Sequence, residues 1–256
     1  MNGVLRSVLT LLIFIFGISN QLSAQEDENQ VLLFDKKWKA TDVKKARYLL
    51  RVKQLNDSIW QWDTYNILGP LIKVEHFKDR NGEIADGKCL FYNKKGTIDS
   101  VHNYKNGLAD GDWRYYSNDP GGHTITKVYS AGRLIRTRDL TREVDSIVKM
   151  KPKVQEGEEV EAEFIGEDKS WANYLSKNMK YPERALKNRI QGEVFVQFIV
   201  DTIGNLVSPE IRRSVEYSID EEALRLIKQS PKWKPATQKG QKVKSYKGQA
   251  ITFKLE

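Results

Sequence analysis

Residues able to do chemistry are few and scattered. Three histidines, His76, His102 and His123, and one cysteine, Cys89, stand apart from one another in a chain of 256 residues. A bound metal or a catalytic triad needs such groups at set intervals, as in H-E-x-x-H, and no such interval occurs. Each histidine therefore reads as a turn or strand-surface residue, and Cys89 as a small buried hydrophobe. There is no G-x-S-x-G, no Walker sequence and no glycine-rich dinucleotide loop. The adjacent acids Glu158–Glu159 fall in an acidic run and Glu221–Glu222 at a predicted helix start, where carboxylates favour water and the helix dipole. The sequence predicts no catalytic residue, no metal site, no cofactor and no enzyme. What is left is the chemistry of the backbone itself, the N–H and C=O groups along an unpaired strand, and the elements that would expose them.

Length and composition set the frame for those elements. The chain is long enough for two ordinary domains, and 39% hydrophobic residues are adequate for packed cores. Residues 1–24 have the pattern of an export signal: Arg6, an apolar run from Val8 to Ile18, and Ala24 before the polar "QEDENQ". The run is about half the roughly twenty residues that a membrane-spanning helix takes. Cleavage after Ala24 is the expectation, and retention as an inner-membrane anchor is the alternative. Lys and Arg exceed Asp and Glu by 42 to 34, for a net charge of +8. For an exported chain the partners this favours are anionic headgroups or acidic envelope polymers, not nucleic acid.

Within residues 25–138 a repeat is visible. Gly82, Gly107 and Gly132 are spaced 25 residues apart, "DGKCLFY" (86–92) answers "DGDWRYY" (110–116), and "FYNKKG" recurs as "YYSNDPGG". "ARYLLRV" (46–52) and "SIWQWDTY" (58–65), separated by the turn-prone "NDS", precede it as strands. One Tyr-rich strand, one glycine turn and a second strand per unit predict an array of β-hairpins, each marginal alone and stable by stacking. The array resembles MORN-type repeats. Trp113, Tyr115, Tyr92 and Tyr104 are expected to be packing residues of its strands.

Residues 139–161 are charged and rich in Glu, and predict a solvated linker. After it, "SWANYLSKNMKYPERALKNRI" carries two short helical patterns divided at Tyr181–Pro182, with Gln191–Gly192 as the stop. Val194, Val196, Phe198 and Val200 alternate onto one face of a strand, "TIGN" turns the chain, and "LVSPEIRRSV" returns. "SIDEEALRLIKQ" is an amphipathic helix with Ser218 or Asp220 near its cap, and "GQAITFKLE" closes the chain with Ile251, Phe253 and Leu255 on one face. The prediction for 162–256 is an α+β module, helix-strand-strand-helix-strand, with a three-stranded antiparallel sheet in the order second, first, third. It follows an all-β hairpin-repeat region.

The YP of Tyr181–Pro182, the I-x-G ending at Gly192, the V-x-V-x-F of 194–198, Asp201, Gly204, "DEEAL", and the "PKWKPA" that holds Trp233 and Pro235 resemble the TonB C-terminal domain family in its Bacteroidetes-type form. The resemblance covers about 162–256. It implies a periplasmic binding module in TonB-dependent transport, whose partner is the TonB-box peptide of an outer-membrane receptor. In the family that peptide joins the sheet by β-augmentation at the last strand, here Lys247, Gly248, Gln249, Ala250, Ile251, Thr252, Phe253 and Lys254. Pro209 blunts the opposite edge, while the last strand has no proline. ExbB and ExbD would be partners if the N-terminus stayed in the membrane, as in an energy transducer. A homodimer is kept open because such domains exchange strands. The rival reading is a structural envelope protein whose repeats bind glycan or lipid.

Overall fold

The computed structural model describes residues 29–117, 124–139, 159–166 and 170–255. They form two compact units, each taken by itself below. The expected signal at 1–24 and residues 140–158 of the expected linker lie outside the described residues. Among the described residues no helix is long and apolar enough to cross a membrane.

The first unit is one antiparallel sheet of ten strands: β1 (Asn29–Phe34), β2 (Tyr48–Asn56), β3 (Ile59–Asn66), β4 (Leu71–Phe77), β5 (Gly87–Tyr92), β6 (Ile98–Lys105), β7 (Leu108–Ala109), β8 (Gly111–Tyr116), β9 (Thr124–Ser130) and β10 (Arg133–Asp139). Each strand pairs with the next, except that the short β7 flanks β6 and β6 passes on to β8. Such a meander needs tight reversals, and the spaced glycines supply them. Gly82, Gly107 and Gly132 have φ of +74°, +78° and +82°. Asn106 and Ala131, just before the last two, are also left-handed, and two successive residues at positive φ suit a two-residue hairpin.

The repeat extends to bonds between units. Gly107 N–H donates to the Ala85 carbonyl and Gly132 N–H to the Ala109 carbonyl, each at 2.8 Å. Likewise the Asp86 carboxylate accepts from Asn106 N–H at 2.9 Å, and the Asp110 carboxylate from Ala131 N–H at 3.2 Å. Each turn is thus fastened to the unit before it, which is how hairpins too small to stand alone are held.

Residues directly opposed on neighbouring strands share a face. Leu32 opposes Leu50, Phe34 opposes Tyr48, Val52 opposes Trp62, and Trp60 opposes Phe77, which builds the apolar cluster at the start of the sheet. Farther along, aromatic rings pack against one another instead. His102 stacks on Trp113 at 4.0 Å and 7°, with Phe91, Tyr104, Tyr115 and Tyr129 around the pair. Elsewhere in the sheet Arg51 and Asp63 form a buried ion pair at 2.7 Å with Lys53 at 3.3 Å. Burial raises the Asp63 carboxyl, but the charges of Lys53 and Arg51 outweigh it and hold it below its ordinary value.

The second unit contains β11 (Glu159–Val160), β12 (Glu163–Phe164), α1 (Trp171–Asn178), α2 (Glu183–Lys187), β13 (Gly192–Val200), β14 (Leu206–Arg213), α3 (Tyr217–Lys228), β15 (Trp233–Lys234), β16 (Ala236–Gln238), β17 (Gln241–Val243) and β18 (Ser245–Phe253). Its main sheet is antiparallel in the order β14-β13-β18. The alternation of β13 puts Val194, Val196, Phe198 and Val200 in the core, where they meet Ile219, Ala223, Leu226 and Ile227 of α3 and the buried Ile251 and Phe253 of β18.

Several local details differ from the sequence reading. Helix α2 ends at Lys187, before Gln191–Gly192, because Asn188 leaves the helical conformation and Arg189 turns left-handed at φ 51°. The N-cap of α3 is Glu216, not Ser218 or Asp220. Glu216 accepts from Ser218 N–H at 2.8 Å and is neutralised by Arg184 of α2 at 2.5 Å, a partner only the tertiary fold provides. Strand β11 pairs Glu159 with Gln238 and Val160 with Thr237, so paired structure starts three residues ahead of position 162.

Candidate functional site: a one-sided strand edge

β18 is paired along its whole length on one side. Its nine residues oppose those of β13 from Phe253–Gly192 to Ser245–Val200 with no break in register. On its other side no strand pairs with it among the described residues. It contains neither proline nor bulge. The opposite edge of the sheet is different: in β14 the pairing slips between Gln197–Glu210 and Ile199–Val207, where left-handed Ser208 (φ 53°) and Pro209 interrupt the strand. A bulge and a proline leave that edge unsuited to another strand.

Of the predicted edge residues, Lys247 to Phe253 lie on this strand, and Lys254 follows its end. Ile251 and Phe253 are buried, while Gly248, Ala250, Thr252 and Lys254 are exposed. Lys247 and Gln249 are half-buried on the helix side. Lys247 reaches Glu161 at 2.5 Å, and its hydrogen bond and charge lower the Glu161 carboxyl. The edge thus offers a row of backbone donors and acceptors over a solid apolar layer.

The motif residues lie elsewhere and brace the module. Tyr181 donates its hydroxyl to the Ile190 carbonyl at 2.6 Å and sets its ring edge-on to Phe253 at 5.9 Å. Pro182 caps α2. A Cβ at Gly192 would meet Val215 at 2.9 Å, so glycine is required there by space. Trp233 packs edge-on against Phe198, Phe164 and Trp171, its backbone N–H donates to the Gly204 carbonyl at 2.9 Å, and Pro235 follows it between β15 and β16. Gly204 itself is left-handed (φ 89°), and a Cβ there would stand 2.1 Å from the Trp233 carbonyl oxygen. These residues join the β13–β14 turn, α2 and the end of β18 into one frame behind the edge.

Two residues at the edge were missed from sequence. Phe195, between the buried Val194 and Val196, projects to the outer face of the sheet and lies over Gly248. Tyr246 is 72% exposed on that same face. The available signal was an aromatic at an out-facing position diagonal to a strand glycine.

The residues first considered for chemistry do not gather here. Cys89 is buried, and burial pushes its thiol up to about 12. His76 places Nδ1 at 2.5 Å from the Lys88 carbonyl, and burial lowers His102 to about 4. His123 lies outside the described residues. Among the described residues no group of His, Cys, Asp and Glu could hold a metal ion.

No curated protein and no solved structure matches the chain. Residues 177–255, which hold the β14-β13-β18 sheet, α3 and the bracing residues from Tyr181 to Pro235, match the family described as Gram-negative bacterial TonB protein C-terminal.

Proposed function

We propose that the chain is an exported adaptor of the Gram-negative envelope, whose second unit binds an extended TonB-box peptide of an outer-membrane receptor by strand addition to β18. The observation that carries this is the asymmetry of the sheet: β18 is unbroken over nine residues and paired on one side, while β14 is closed by Ser208 and Pro209. An added strand would gain several backbone hydrogen bonds, each worth roughly 1 kcal/mol net, and ordering of the peptide would offset much of that. Affinity is accordingly modest. The first unit, with its MORN-like hairpins, serves as the spacer or second contact of the adaptor.

Neighbouring residues of a strand direct their N–H groups to opposite edges. Of Gln249→Pro and Ala250→Pro, one therefore deletes a donor on the free side and the other a donor to β13. The free-side variant keeps its melting temperature and loses a synthetic TonB-box peptide, as followed by amide NMR shifts along 247–255. Shifts confined to β14 or to the first unit, or none at millimolar peptide, would exclude this reading.

A further inference from the structure

We infer that the free edge of β18 carries a side-chain subsite, floored by the Phe195 ring over Gly248, that selects an apolar residue in the strand it accepts. This rests on strand addition at β18 and names what the edge reads beyond backbone. Phe195 opposes Ala250 and Gln197 opposes Gly248, so Phe195 and Gly248 are diagonal neighbours on the outer face. A Cβ on Gly248 would stand 2.3 Å from Phe195 Cζ and 2.9 Å from Cε1. Gly248 is not among the residues at positive φ, so what glycine supplies here is room and not backbone freedom. The ring, rooted on the central strand, thus lies across the backbone of the edge strand.

A neighbouring strand would run about 4.8 Å beyond β18. Its out-facing side chain opposite Gly248 would meet the rim of the Phe195 ring, with no β18 side chain between them. Along the strand the seat is bounded by the exposed Tyr246 on one side and the small Ala250 on the other. At its margin stand two hydrogen-bonding side chains on the outer face, the exposed Tyr246 and Gln197, which directly opposes Gly248. A polar residue set on the ring itself would lose water to a surface that offers it no hydrogen bond, whereas an apolar one removes both itself and the ring from water. A ring folded over glycine also stiffens a strand, and a binding measurement separates that role from selection.

The test is calorimetric titration of the full chain with a synthetic peptide carrying the TonB box of an outer-membrane receptor from the same organism, and with versions changed to Ser at one apolar position at a time. One position should weaken binding about tenfold on the wild-type chain and less than about twofold on Phe195→Ala, the pattern of two side chains in contact. Gly248→Ala, which pushes the ring aside, should reproduce Phe195→Ala. Circular dichroism melting checks the fold, and Phe195→Leu replaces Phe195→Ala if the latter melts apart. Serine changes that weaken binding equally on wild-type and variant chains overturn the subsite and leave strand addition standing. A peptide that does not bind the wild-type chain overturns both.

Discussion

At the scale of single residues, burial explains the unusual ionisation of the histidines in the first unit. His102 is held against Trp113 at 4.0 Å, where burial first and the charge of Lys127 second disfavour the imidazolium. Its ordinary value is 6.5 and its folded value about 4. Between these the unfolded chain takes up a proton that the folded chain does not. The stabilising effect of keeping His102 neutral is complete above the unfolded value and is lost as pH falls toward the folded one. Burial lowers His76 as well, so it acts in the same direction. The melting temperature of the first unit should therefore drop between about pH 7 and about pH 5, and His102→Phe, which keeps a ring on Trp113 without a titrating group, should flatten part of that slope. A slope unchanged by the substitution would assign it to other groups.

Elements show where sequence is sufficient and where it is not. The alternation of β13 is legible because it is long: nine residues place Val194, Val196, Phe198 and Val200 on one side, and all four are buried. Val196→Asp puts a carboxylate with no partner among them, at a cost of about 3–5 kcal/mol against a total stability of roughly 5–15. The second unit should lose its cooperative melt, and a variant that melts like the parent would mean a different register. The glycine turns were equally legible, since left-handed backbone at Gly82, Gly107 and Gly132 leaves a mark in composition. By contrast β11, β12, β15, β16 and β17 have two or three residues each, too few for any period to emerge. The cap of α3 was ambiguous for another reason. Glu216, Ser218 and Asp220 all carry acceptors, and the choice of Glu216 depends on Arg184, 32 residues away. The edge itself was foreseen from topology and Pro209, but Phe195 was not, because its placement over Gly248 depends on a diagonal neighbour on a strand distant in sequence.

On the scale of the whole molecule, the boundary between the units moves once pairing is known. Residues 140–158 carry Pro152, Gly157 and many charges, and we expect limited trypsin digestion to cut within them. A fragment 159–256 should fold alone. A fragment 162–256 lacks the two residues of β11 and should melt at a lower temperature, since each lost backbone bond costs roughly 1 kcal/mol. Equal melting of the two fragments would show β11 to be dispensable.

The closed edge at Ser208 and Pro209 has a consequence for association. A sheet that can grow from one side only has a valence of one: the first strand to arrive terminates it, and a fibre cannot propagate through it. Under the proposed strand addition, a receptor peptide and a second copy of this domain would compete for the same row of N–H groups. Self-association through β18 would then act as a built-in competitive inhibitor, and crowding the domain at high local concentration would lower its apparent affinity for the receptor instead of raising it.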